Sequence, residues 1–348
     1  MTHRPTFSVA VPCYNYGRFL GECVESIATQ DGVDVGVLVI DDCSTDDSAE
    51  VADRLCTQWT NVQVLRHRVN QGHIVTFNDG VDWATGDYFV LISADDLLAP
   101  GALRRAGEVM SAAPHVGMCY GSVVPFTEPD ELAPVDMATP HPYVWDGRRW
   151  IGRLCRLGEN PTYSPEIVLR TDVQRQIGHY DARCRHTSDL NTWLRAAAVS
   201  DVAFLPGTIQ AYYRVHGANM SRTAFAAQLD QIEQWHRAFA AFFEWSPGRT
   251  FVRDERIAGA SIAKRTLWEA SKSFQHGGRS SDLDQTQYVD LARRADPHVE
   301  RRMAYWGLRL RRRLGPLPSL LFPPFLAARA VRAVRRALRN RSHAVRGA

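Results

Sequence analysis

Five short apolar runs alternate with segments of helical period over the first 122 residues. This alternation constrains the fold more than any other feature of the chain. The runs lie at 7–11, 35–40, 62–65, 88–92 and 116–121. Between them, residues 18–29, 46–58 and 72–84, and a segment opened by Pro100, carry apolar side chains at helical spacing. Ser44-Thr45-Asp46 is a natural N-cap cluster for the second helix. Strands without polar alternation are buried on both faces, and strand–helix–strand repetition builds parallel sheets. The expected fold is α/β: a Rossmann-like, mainly parallel sheet with helices on both faces.

In such sheets ligands bind beyond the carboxyl ends of the strands. The residues that follow three of the runs are Cys13-Tyr14-Asn15, Asp41-Asp42 and Ser93-Ala94-Asp95-Asp96. Acids and amides gathered on one edge suit a nucleotide held with a divalent cation, because hard cations take oxygen ligands and share them with phosphates. Other α/β chemistries lack their motifs here. Pro12-Cys13-Tyr14-Asn15-Tyr16-Gly17 stands where a dinucleotide fold needs GxGxxG, and neither GxxxxGK[ST] nor GxSxG occurs. The seven cysteines include no CxxC pair, so neither a disulfide framework nor a zinc site is expected. The first residues contain no apolar segment of the secretory kind.

The ordered set of motifs carries a resemblance. Pro12-Cys13-Tyr14-Asn15, Asp41-Asp42-Cys43-Ser44-Thr45-Asp46, Asn70-Gln71-Gly72, Asn78-Asp79-Gly80 and Ser93-Ala94-Asp95-Asp96 resemble the family-2 glycosyltransferases of the GT-A fold. Gly178-His179-Tyr180-Asp181, the stretch from Thr187 to Arg195, and the stretch from Tyr213 to Ser221 extend it over residues 7–221. The resemblance implies an inverting, metal-dependent transfer from a nucleotide-diphospho-sugar, with UDP expected and dTDP the alternative.

It also implies roles. Pro12, Tyr14 and Asn15 border the nucleobase, and Asp42, with Asp41 beside it, accepts from a pyrimidine imide. Asn70 and Gly72 pack a helix start against the nucleotide. Asp95 and Asp96 hold Mn2+ or Mg2+, with His216 completing the shell and Arg214 and Ser221 on the diphosphate. Asp189 is the general base. Ser93 departs from the family by replacing the first acid of its D-x-D-D form. Trp150, Asn160, Tyr163 and Arg185 fall in segments expected to face the acceptor, whose identity is open. Two other readings remain: a catalytically inactive sugar-nucleotide-binding scaffold, and a nucleotidyltransferase.

The catalytic domain is expected over 1–222, with a nucleotide half to about 122 and an acceptor half beyond. A helical extension follows over 223–300, packed on that domain or on a second copy in a homo-oligomer. From residue 301 to the end there are thirteen arginines and no acid. Removing them from the overall +3 leaves −10 on residues 1–300. Residues 325–341 separate apolar and arginine-rich faces at helical period, as in a helix lying on an anionic membrane or docking its basic face on an acidic surface of the same protein or a partner. Basic residues are not interleaved with aromatics, so no nucleic-acid partner is expected. The implied location is cytoplasmic, peripheral at the inner face of the cell membrane.

Overall fold

The structure is a computed structural model that describes residues 4–217, 219, 228–246, 250–272 and 282–314. The chain forms two compact units. The first comprises Met1–Trp150 and Pro161–Asn219; the second comprises Ile151–Asn160 and the chain from Met220.

The first unit opens as the apolar runs dictate. Strand β1 (Thr6–Cys13), helix α1 (Gly17–Ala28), β2 (Asp34–Asp41), α2 (Ser48–Gln58), β3 (Val62–Arg66), α3 (His73–Trp83) and β4 (Tyr88–Leu91) follow in turn. Strands β3, β2, β1 and β4 lie side by side and parallel. Period-2 alternation then divides each strand between two cores. Val9, Val11, Val37, Val39 and Val90 join Leu20, Ile27 and Leu55 of α1 and α2. Ala10, Leu38, Ile40, Phe89 and Leu91 join Ile74 and Val81 of α3. Each fully buried aliphatic side chain of this kind contributes about 1.5–3 kcal/mol. Gly80 sets how closely α3 lies on the sheet, because a Cβ there would stand 2.5 Å from the Ala10 Cβ.

The rest of the sheet is less regular. Strand β5 (Leu97–Leu98), α4 (Ala102–Ala112), β6 (Val116–Phe126), β7 (Tyr143–Trp145), α5 (Gly147–Leu157), β8 (Val168–Arg170), α6 (Thr171–Ile177), α7 (Ser188–Val199) and β9 (Asp201–Arg214) follow, with α5 from Ile151 onward assigned to the second unit. Beyond β4 the order continues β8-β6-β9-β5, with β7 also on β9. β8 runs antiparallel between β4 and β6, and β6 and β9 pair in parallel over most of their length. The fold is therefore α/β with a mainly parallel sheet.

In the second unit, α8 (Gln228–Trp245), α9 (Val252–Lys272), α10 (Asp282–Ala295) and α11 (Met303–Leu314) are helical. Ala263, Leu267, Val289, Ala292, Tyr305 and Leu308 form the core between α9, α10 and α11. Among the described residues no helix is long and apolar enough to cross a membrane. Segment 325–341 lies outside the described residues.

Candidate functional site

Strand register brings the polar clusters together. Cys13 pairs with Asp41 at the ends of β1 and β2. The Asp42 amide donates to the Cys13 carbonyl at 2.9 Å, and the Ala94 amide to the Pro12 carbonyl at 3.3 Å. The residues after β1, β2 and β4 thus share the carboxyl edge of the sheet.

The loop after β1 is fixed to the loop after β2. Asn15 adopts a left-handed φ of 59°. Its amide donates to Ser44 Oγ at 3.0 Å, and its Oδ1 accepts the Thr45 amide at 2.7 Å. Asp46, expected within the N-cap of α2, binds one residue off that position. It accepts the Ser48 amide and, with its other oxygen, the Gly17 amide at 3.1 Å. The carboxylate serves the starts of two helices, and α2 begins two residues later than its sequence cap suggests. Gly17 permits this approach, since a Cβ there would stand 2.2 Å from Asp47 Oδ1. Tyr14 remains 47% exposed above the loop, and Pro12 is half-buried.

Asp42 is buried and held on both oxygens. Oδ1 accepts the Gln71 amide at 2.7 Å, and Oδ2 accepts the Gly72 amide at 2.8 Å. Gly72, at φ 86°, is the N-cap of α3, so Asp42 fixes the start of that helix; Asn70, just before it, is exposed. His67 lies between Asp42 Oδ1 (Nδ1, 2.7 Å) and Asp79 Oδ2 (Nε2, 2.8 Å). An acid oxygen facing each ring nitrogen favours the doubly protonated ring, which can donate from both. Burial works against that charge, but the two carboxylates prevail and raise the His67 pKa. Burial likewise opposes the Asp42 charge, yet hydrogen bonds from His67, Gln71 and Gly72 lower its pKa overall. Asp41 is buried and accepts the Ser44 amide at 3.1 Å.

The acids after β4 meet the end of β9. His216 Nε2 is 2.9 Å from Asp95 Oδ2, and Asn219 Nδ2 is 3.3 Å from the same oxygen. Asp96 Oδ1 accepts the Arg214 amide at 2.9 Å. Burial raises the pKa of both acids; His216 counters it at Asp95, while the Asp95 charge raises Asp96 further. Arg214 is 3% exposed. Its Nε donates to the Asp95 carbonyl at 2.9 Å, its Nη2 bonds Glu22, and its guanidinium lies 4.6 and 4.4 Å from the Phe19 and Phe126 ring centres. It acts as a counter-charge packed beneath the acids rather than as an open anion contact. Ser221 lies outside the described residues.

Asp95 and His216 fit a shared cation. Ligand atoms 2.9 Å apart match the edge of an octahedron with bonds of roughly 2.0–2.1 Å. Asp96 has one carboxylate oxygen engaged by the β9 backbone, at the Arg214 amide. Among the described residues no cluster of three or more metal-ligating side chains forms. A two-ligand seat suits Mg2+ or Mn2+, whose other positions go to water and substrate phosphates.

Asp189 opens α7, half-buried, with Oδ1 accepting the Leu190 amide at 2.6 Å. The loop before it is tied to α3. Asn78 donates to the Tyr180 carbonyl at 3.2 Å and accepts the Tyr180 amide at 2.8 Å. His179 Nε2 meets Asp82 at 2.7 Å, and Arg195 donates to the Ile177 and His179 carbonyls. One helix therefore connects the Asp42 end of the site to the segment leading to Asp189.

Of the residues expected near the acceptor, Trp150 is a core residue, fully buried with its Nε1 donating to Tyr120 OH at 3.2 Å. Tyr163 is 47% exposed and lies against Tyr213, ring centres 5.1 Å apart. The sequence reading missed His67, Asp79, Glu22 and Asn219 as parts of the site. Asn219 and Asp79 sit inside motifs given above and were within reach; His67 and Glu22 lie 25 and 192 residues from Asp42 and Arg214, with no local pattern to mark them.

Residues 8–174 match the sequence model of the family described as Glycosyl transferase family 2. An uncharacterized glycosyltransferase of Nostoc sp., alr2836, is 27% identical over 231 residues, 64% of this chain and 69% of that one. Staphylococcus aureus TarS residues 1–349, solved in complex with UDP-GlcNAc, has a TM-score of 0.64 at 17% identity over 85% of this chain and 83% of that one. Mannosyltransferase PcManGT from Pyrobaculum calidifontis, solved with GDP-Man and Mn2+, has a TM-score of 0.55 at 17% identity over 99% and 84%. At these identities the structural likeness speaks for the fold.

Proposed function

The chain belongs to glycosyl transferase family 2, and from that premise we propose that it transfers a glycosyl unit from a nucleotide-diphospho-sugar to an acceptor hydroxyl by one inverting displacement. Asp189 takes the hydroxyl proton, the freed oxygen attacks the anomeric carbon on the face opposite the leaving group, and the bond from that carbon to the diphosphate breaks. Its place in the first turn of α7 favours the ionised form a base needs.

The nucleobase end is read by Asp42. Three donors already occupy its two oxygens, so one lone pair on Oδ2 remains for an imide N–H. That suits the imide of a uracil or thymine base, and we place UDP ahead of dTDP because TarS was solved with a UDP-sugar. Pro12, Tyr14, Asn15, Asp41, Asn70 and Gly72 shape the same pocket. A Mn2+ or Mg2+ ion held by Asp95 and His216 would neutralise charge on the departing diphosphate. Arg214 positions Asp95 and Asp96, and Ser221 remains a proposed diphosphate contact. The acceptor class we favour is a cell-envelope glycan, a glycolipid or a secondary-metabolite glycoside.

The observation that carries the reading is the convergence of Asp42 with the Asp95–His216 pair on one sheet edge. The test is product release from a panel of sugar nucleotides with Mn2+ and acceptor extracts. Asp189→Asn should lower turnover about 1,000-fold while nucleotide affinity, measured by calorimetry, stays within twofold. Undiminished turnover would remove Asp189 from the mechanism. Silence across the whole panel by a protein that still binds nucleotide would leave a binding scaffold instead of an enzyme.

A further inference from the structure

We infer that the outer face of α11, Met303–Leu314, is a docking surface for an anionic lipid bilayer. This helix has two apolar faces. Tyr305 and Leu308 are buried in the core of the second unit. Met303, Trp306, Leu310 and Leu314 point outward, 91%, 56%, 38% and 37% exposed. At 100° per residue these four fall within an arc of about 80°, spread over three turns. A contiguous exposed stripe of a tryptophan, a methionine and two leucines marks an interaction surface.

The charges beside the stripe identify what covers it. Exposed Arg309 and Arg313 border the arc, and the Arg309 guanidinium lies 5.1 Å from the centre of the Trp306 ring. No acid follows Glu300 in the sequence. A cavity of about 350 Å³ beside α11 adds Ile257, Leu267 and Val299 next to Met303, with Lys264 and Arg302 among its lining. A second, of about 460 Å³, draws Arg293, Arg309 and Arg312 together, with Asp290 and Glu300. An apolar stripe holding an interfacial tryptophan and flanked by arginines with long apolar stems matches a bilayer surface. The stripe enters the acyl boundary while the guanidinium groups stay among anionic headgroups.

Two other occupants fit less well. A second copy would bring the same face against itself in a two-fold contact, setting arginines against arginines. A protein partner needs roughly 800 Å² on each side for a stable interface, and four side chains supply only part of that.

Full-length protein should be treated with dilute peroxide, and oxidation of each methionine followed by peptide mass spectrometry. The vesicles are phosphatidylcholine alone, or phosphatidylcholine with 30% phosphatidylglycerol. Anionic vesicles should slow Met303 oxidation at least fivefold. Met137, which is 42% exposed in the first unit, should keep its rate, as should both residues with neutral vesicles. The exposed double substitution Trp306→Asp/Leu310→Asp should cut binding to anionic vesicles at least tenfold in co-sedimentation, with circular dichroism unchanged. If protein sediments with anionic vesicles while Met303 reacts at its free rate, another part of the chain makes the contact and the inference is overturned. Protection that appears without vesicles and grows with protein concentration overturns it in favour of self-association. The outcome does not depend on whether the first unit transfers sugar.

Discussion

His67 stands between the carboxylates of Asp42 and Asp79, and its hydrogen bond helps hold the buried Asp42 below its ordinary pKa. The His67 pKa is raised in the folded chain, so its contribution to stability is complete below its unfolded value of roughly 6.5 and fades as pH climbs through the raised one. Asp42, with its pKa lowered, contributes above its unfolded value and loses that contribution in acid. His67→Gln should destabilise the protein by about 1.5–3 kcal/mol at pH 6, with the deficit shrinking toward pH 9 in urea titrations. The same variant should weaken nucleotide binding about tenfold, since Asp42 loses its orienting partner. Glu166 is the opposite case. It is 4% exposed, it accepts the Tyr163 amide at 2.9 Å, and burial pushes its pKa up to about 8. The folded state therefore holds a proton that the unfolded state has lost, and stability falls as pH rises from about 4.5 toward 8. Glu166→Gln should remove this slope and gain roughly 1–3 kcal/mol at pH 8.5, read as a higher Tm. An unchanged slope would mean that Glu166 is ionised at neutral pH.

Among the elements, α3 has the most connections. The Gln71 and Gly72 amides that lead into it bind Asp42, its Gly80 rests on β1, and Asn78 and Asp82 hold the segment before α7. Gly80→Ala would force a methyl against Ala10 and should cost about 1–3 kcal/mol. It should also lower turnover more than a surface substitution of equal stability cost, because α3 shifts at both of its attachments. These helices and the parallel strands β1 to β4 were legible in the sequence, since each is an apolar run or period long enough to stand out. Strands β5, β7 and β8 were not. They are two or three residues long and exist only through pairing with β9, β4 and β6, so nothing local encodes them. The start of α2 was misplaced for a related reason: the choice among Ser44, Thr45 and Asp46 depends on Gly17, some thirty residues away. The same limit applies to the site. Asp42, Asp95, His216 and Asp189 fall in motifs that adjacent residues define, whereas His67 and Glu22 enter only when the chain folds back.

For the whole molecule, charge is divided along the chain: −10 over the first 300 residues against +13 beyond, all thirteen from arginine. Attraction of the basic end to an anionic surface is screened over about 10 Å at 0.1 M salt. Raising sodium chloride from 0.05 to 0.5 M should therefore release most of the protein from anionic vesicles in flotation assays; retention would mean that apolar insertion alone holds it. The link through α3 also bears on descent. On the proposed reading, a change in this helix that shifts Asp42 also moves the segment leading to Asp189, so base and acceptor recognition should be inherited together along that route. Changes at Tyr14 or Asn70, exposed and outside that helix, carry no such debt. Lineages that switch nucleotides while keeping their acceptor should show their substitutions at those loop positions, with Asp42, His67, Asn78 and Asp79 left as they are.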